Sequence, residues 1–115
     1  MPDRPAPSVE DPVVRRLVER VVAEVDPLRV VLFGSRAAGT ARPDSDVDLL
    51  VVVPDGSRPL SVMRRLYERV RDVGVAVDYV AATPSQLERY GDSVGYIYRE
   101  ALVHGREVYA APAHA

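Results

Sequence analysis

Two short runs rich in β-branched residues, 28–33 and 47–53, are joined by a polar stretch that opens Gly34-Ser35 and closes Asp46-Val47-Asp48, with ten residues between Ser35 and Asp46. No other part of the chain constrains the fold as much. Each run has the length and composition of a strand, so the polar stretch is a loop from the end of one strand to the start of the next. After Asp48 the second run is apolar at consecutive positions, as in a strand covered on both faces and central in its sheet. Asp46 and Asp48 are two residues apart, so their side chains leave one face together.

The rest of the chain supplies helices for both faces of such a sheet. Asp11 before Pro12 reads as an N-cap with proline at the first helical position. Val13, Val14, Leu17, Val18, Val21, Val22 and Val25 then recur at helical spacing until Asp26-Pro27 stops the run. Pro54-Asp55-Gly56 is a turn. Leu60, Met63, Leu66, Tyr67 and Val70 mark a second helix, ending near Gly74. Residues 75–81 form a third strand that carries one charge, Asp78, mid-strand among apolar neighbours. Thr83 and Gln86 are spaced as a capping box opening a third helix, which runs towards Gly105 with a break near Gly91 or Gly95. Residues 107–110 read as a short final edge strand. The order of elements predicts an α/β (α+β) domain, a mixed β-sheet of three to four strands flanked by helices. Residues 1–9 read as a disordered lead, 10–110 as the folded domain and 111–115 as a flexible tail.

At 115 residues the chain holds one core. A formal net charge of −2 leaves no basic footprint for direct nucleic-acid binding. The absence of cysteine excludes disulfides and thiolate metal sites. No apolar run reaches the roughly 20 residues of a membrane span, and the polar, proline-rich start is unlike a signal peptide, so a cytoplasmic protein is expected. All 15 basic residues are arginine. Without lysine there is no P-loop.

Asp46 and Asp48 on one face repel each other, and divalent cations relieve that repulsion; magnesium takes one or two carboxylates and completes its shell with phosphate oxygens and water. Gly34 lets backbone come close to an anion, and Ser35 offers a hydroxyl and an N–H at the turn. Asp78 on a strand beside Asp46 and Asp48 would face the same cations. Three carboxylates and a phosphate turn suit two-metal chemistry, with one ion activating a hydroxyl and the other holding a triphosphate. In that scheme Asp78 is a ligand and the general base, and Arg36 and Arg42 are candidate phosphate clamps.

The string resembles the minimal nucleotidyltransferase family, within the DNA polymerase β-like nucleotidyltransferase superfamily, whose pattern is G-S-x10-D-x-D with a third aspartate on a later strand. Gly34, Ser35, Asp46, Asp48 and Asp78 match those five positions, and the similarity extends over most of the chain to Tyr98-Arg99-Glu100-Ala101-Leu102. One departure is Ala38, where many relatives carry a second arginine. The resemblance implies a nucleotidyltransferase fold over residues 10–110, two Mg2+ ions and ATP as substrate. Its activity would be adenylyl transfer, as in antitoxins that transfer AMP to a tyrosine of a HEPN ribonuclease toxin. The chain carries no added acceptor-binding domain, which favours a protein acceptor supplied by a partner.

Two other readings stand beside this one. An antitoxin that retains the motif but acts by stoichiometric binding needs no turnover, and transfer to a small molecule needs an acceptor pocket built by oligomerisation. Arg99 and His104 fit the R-x4–6-H spacing of HEPN ribonucleases, but a strand-rich α/β core is the wrong setting for that helical domain. Arg99 is read as a solvated helix residue and His104 as a C-terminal helix residue favoured by the dipole. Tyr67, Tyr96, Tyr98 and Tyr109 are read as packing residues.

Overall fold

The computed structural model describes residues 5–39, 42, 45–90 and 96–112, with side chains left out of the description at 90 and 96–98. The chain runs α1 (Pro12–Val25), β1 (Arg29–Phe33), α2 (Ser35–Ala38), β2 (Val47–Val52), α3 (Pro59–Arg69), β3 (Val77–Ala82), α4 (Pro84–Tyr90), α5 (Tyr96–His104) and β4 (Arg106–Ala110). The four strands form one mixed sheet in the order β3-β2-β1-β4. β1 is antiparallel to β2 and β4, and β2 is parallel to β3.

The alternation along the strands sorts the core into two layers. Val30, Leu32, Leu49, Val51 and Tyr79 pack with Leu17, Val18 and Val21 of α1 and Leu66 of α3. On the other face Val31, Phe33, Leu50, Val52 and Ala82 pack with Ala101 of α5 and Leu87 of α4. β2 contributes buried side chains to both clusters, as its uninterrupted apolar run predicts.

The helix ends follow local chemistry. Asp11 Oδ1 accepts from the Val13 and Val14 N–H groups at 2.9 and 3.4 Å, satisfying donors that have no partner inside the helix. The Thr83 box forms as predicted: Thr83 N–H donates to Gln86 Oε1 at 3.0 Å and Gln86 N–H to Thr83 Oγ1 at 3.3 Å. Asp55 adds a second brace, accepting from the Ser85 hydroxyl at 2.8 Å and its N–H at 3.1 Å. Those bonds, the hydroxyl's foremost, hold the Asp55 carboxyl below its ordinary value.

The structure corrects several expectations. The described end of the supposed disordered lead is docked: Val9 is buried, and Ser8 N–H donates to Val108 O at 2.7 Å along the outer edge of β4. At the other end Ala111 N–H donates to Leu28 O at 2.9 Å, so residue 111 is tied to the sheet, and residues 113–115 of the expected tail lie outside the described residues. The second helix stops at Arg69, capped by Val70, well before Gly74. The last helical region is two helices, with residues 91–95 between them outside the described residues. Tyr109 is buried, whereas Tyr67 is 46% exposed, its hydroxyl accepting from Tyr79 N–H at 3.0 Å. Tyr96 and Tyr98 lie in α5, their side chains outside the description. Arg99 and His104 are exposed on α5.

Candidate active site

The candidate site grows out of the register of three strands. Phe33, the last residue of β1, pairs with Asp48, and Asp48 pairs in parallel register with Asp78. Residues opposite one another in a ladder project to the same face, so Asp48 and Asp78 stand side by side. Phe33, Leu50 and Ala82 assign that face to the side covered by α4 and α5. Asp46, just before β2, is exposed and close enough to act on Asp48 electrostatically.

Asp48 feels both burial and its neighbours. Partial burial is the largest influence raising the Asp48 carboxyl above its ordinary value, followed by the charge of Asp78, the charge of Asp46 and a side-chain hydrogen bond with Asp78. Two acidic groups sharing a hydrogen bond retain a proton more readily than either alone. Asp78 departs from the expectation of a costly carboxylate in mid-strand: it is the second residue of β3 and exposed. Solvent at the strand end is what makes the charge affordable there. Among the described residues no three acidic, histidine or cysteine side chains are gathered closely enough to hold a metal ion as they stand. The three aspartates form an open, charge-crowded edge.

Gly34 completes this edge from β1. Its backbone lies at φ 74°, ψ −155°, a region reserved for glycine. A Cβ built there would collide with Asp48 Oδ2. The bend therefore brings main chain against the central carboxylate. Ser35 opens the single turn α2, which Gly39 closes in the left-handed conformation. Ala38, the position at which the resemblance leads one to expect a second arginine, is the exposed last residue of that turn.

The two arginines do not sit with the carboxylates. Arg36 Nε and Nη2 donate to the Ser45 carbonyl at 3.2 and 2.9 Å, and Nη1 donates to Asp11 Oδ2 at 3.1 Å. Arg42 is exposed, and its backbone forms a turn with Ser45, whose hydroxyl accepts from Arg42 N–H at 2.8 Å. Both arginines line a groove of about 500 Å3 with Asp11, Val14, Leu32 and Arg106. Leu32 belongs to the α1 face, so this groove opens on the side of the sheet opposite Asp48. It is separate from the carboxylate edge.

Sequence reasoning missed Asp11 and Ser45 as parts of the site. Asp11 was legible as a helix cap, but nothing in its spacing discloses that its second oxygen meets Arg36. A backbone carbonyl such as that of Ser45 has no sequence signal.

Known proteins share this fold. The family model for the nucleotidyltransferase domain matches residues 14–108. A crystal structure of a protein from Sulfolobus solfataricus, provisionally assigned as a nucleotidyltransferase, is 28% identical, with a TM-score of 0.52 over 70% of this chain and 72% of that one. A toxin–antitoxin structure with AMP-PNP has a TM-score of 0.55 over 84% of this chain and 73% of that one; at 18% identity the likeness is one of fold. No curated protein sequence matches the chain significantly. With the matched segment running from α1 into β4, this chain belongs to the nucleotidyltransferase domain family.

Proposed function

We propose that the protein is an antitoxin that transfers AMP from ATP to a tyrosine hydroxyl of a partner HEPN ribonuclease, with magnesium bound at the aspartate edge. The observation that carries this reading is the juxtaposition of Asp48 and Asp78 in register, with the Gly34 backbone pressed against Asp48. Family membership supports nucleotidyl transfer, and the shared fold with a toxin–antitoxin assembly bearing a nucleotide analogue supports a toxin partner.

The donor chemistry of these residues suits magnesium. Asp46, Asp48 and Asp78 are hard oxygen donors, and the crowding that raises Asp48 is of the kind a divalent cation relieves. Bound there, the metal would supply positive charge to the triphosphate and to the attacking oxygen. Gly34 lets main chain lie against Asp48, and Ser35 opens the turn that follows, where phosphate oxygens would meet backbone N–H groups. Asp78, exposed at the start of β3, receives the proton of the attacking tyrosine hydroxyl. The tyrosine oxygen forms a bond to the α-phosphorus as the bond from that phosphorus to the oxygen leading to the β-phosphate breaks. Pyrophosphate leaves with that electron pair, and Asp78 passes its proton to solvent.

Incubating the purified chain with MgATP and its helical partner should add AMP-sized increments to the partner's intact mass. Asp46→Ala and Asp48→Ala should each abolish them. No increment with magnesium or manganese would remove the enzymatic reading. Protection by the double Asp46→Ala, Asp48→Ala chain only at equal molar amounts would instead support stoichiometric binding.

A further inference from the structure

Asp46 lies between two anchored peptides. On its C-terminal side, Val47 N–H donates to Ala76 O at 2.9 Å, joining the start of β2 to the approach to β3. On its N-terminal side, the Ser45 carbonyl accepts from both Nε and Nη2 of Arg36. That carbonyl belongs to the planar peptide linking Ser45 to Asp46, so fixing it fixes the plane from which Asp46 departs. Arg36 is itself braced by Asp11 Oδ2, and its side chain is only 11% exposed. The other Asp11 oxygen caps α1. One guanidinium thus joins the first turn of α1, the turn after β1 and the residue before Asp46.

We propose that Arg36 is a positioning residue: it locks the Ser45–Asp46 peptide so that Asp46 and Asp48 are held as a ready pair for a divalent cation, with Asp11 as its brace. The proposal rests on reading the aspartate edge as a nucleotidyl-transfer site, and it replaces the triphosphate-clamp role expected for Arg36. At least three of its five N–H donors are already given to Ser45 and Asp11. The two-pronged grip on one carbonyl needs the planar fork of arginine, whereas a phosphate clamp is partly served by the point charge of lysine.

The test uses the full chain without nucleotide. Mn2+ binding is followed by electron paramagnetic resonance, and amide exchange at Val47 by NMR, in wild type, Arg36→Lys, Arg36→Gln and Asp11→Asn. Asparagine retains the oxygen that caps α1 but loses the anionic partner of Arg36. Loss of a residue that orients metal ligands commonly weakens metal binding roughly 10-fold or more. That loss, with faster Val47 exchange, is expected for both Arg36 variants, and a smaller change in the same direction for Asp11→Asn. Thermal unfolding of each variant separates local release from global loss of fold. Variants that unfold like wild type, bind Mn2+ equally well and protect Val47 equally would overturn the positioning role. A wild-type chain that binds no Mn2+ would instead overturn the reading of the site on which that role depends.

Discussion

Replacing Gly34 by alanine tests the coupling between the β1 bend and Asp48 directly. The substitution carries two separable costs. Holding a non-glycine residue at φ 74°, ψ −155° costs about 2 kcal/mol. Displacing the Asp48 carboxylate, which the new Cβ would meet at Oδ2, costs about 1 kcal/mol more, because the end of a half-buried side chain can turn away by leaving its rotamer. A loss of about 3 kcal/mol in a domain of this size lowers Tm by about 12 °C. The decisive assay is a double-mutant cycle by urea unfolding of wild type, Gly34→Ala, Asp48→Ala and the double variant. With the Asp48 side chain truncated the collision disappears, so the cost of Gly34→Ala should fall to about 2 kcal/mol, the backbone part alone. An equal cost in both backgrounds would refute the argument that Gly34 is required by the carboxylate as well as by its own backbone.

Two further outcomes follow from groups whose protonation the fold perturbs. Because Asp48 is raised, first by burial and then by Asp78 and Asp46, the folded state binds its proton more tightly than the unfolded chain. Its contribution is therefore complete below the ordinary value of 3.8 and is lost as pH rises through the raised value. In metal-free buffer Asp48→Asn should unfold at a higher temperature than wild type near pH 7 and lose that advantage below the ordinary carboxylate range; a variant less stable at neutral pH would contradict the crowding. Tyr79, pushed up to about 12 chiefly by burial, donates its hydroxyl to Val70 O at 3.0 Å. Tyr79→Phe should cost about 1.5 kcal/mol in urea unfolding and flatten the loss of stability that wild type suffers as pH rises from about 10 to about 12. Equal stability of the two chains at neutral pH would dismiss that bond.

Much of the fold was legible because local and global signals agree. Asp11-Pro12, Thr83 with Gln86 and the apolar run after Asp48 each specify a local structure that the sheet then uses. The face taken by Asp48 was legible for the same reason, since strand alternation fixes where a side chain in β2 points. Asp78 was identified by its charge but misjudged in depth, because sequence does not reveal where β3 begins relative to β2. The ends of the chain were misjudged for a related reason. Prolines and small residues around Val9 read as disorder, yet one buried valine and one hydrogen bond to the β4 edge hold the segment. Arg36 was legible as an arginine beside the Gly34-Ser35 turn but not as a brace, because its acceptors are a backbone carbonyl and a cap from 25 residues earlier.

The two faces of the sheet thus have different roles at the same end. On the α1 side, Arg36 and Asp11 hold the loop by satisfied donors and acceptors in a partly buried setting, where a charged hydrogen bond is worth more than in water. On the α4 and α5 side, Asp48 and Asp78 stand in register, and burial together with the charges of Asp78 and Asp46 raises the Asp48 carboxyl. β2 joins the two, since Asp46 leads directly into the strand that carries Asp48. A chain selected for stability alone would have no use for the second arrangement. A divalent cation held by the aspartates would relieve their repulsion, and binding the folded chain alone it would stabilise the fold.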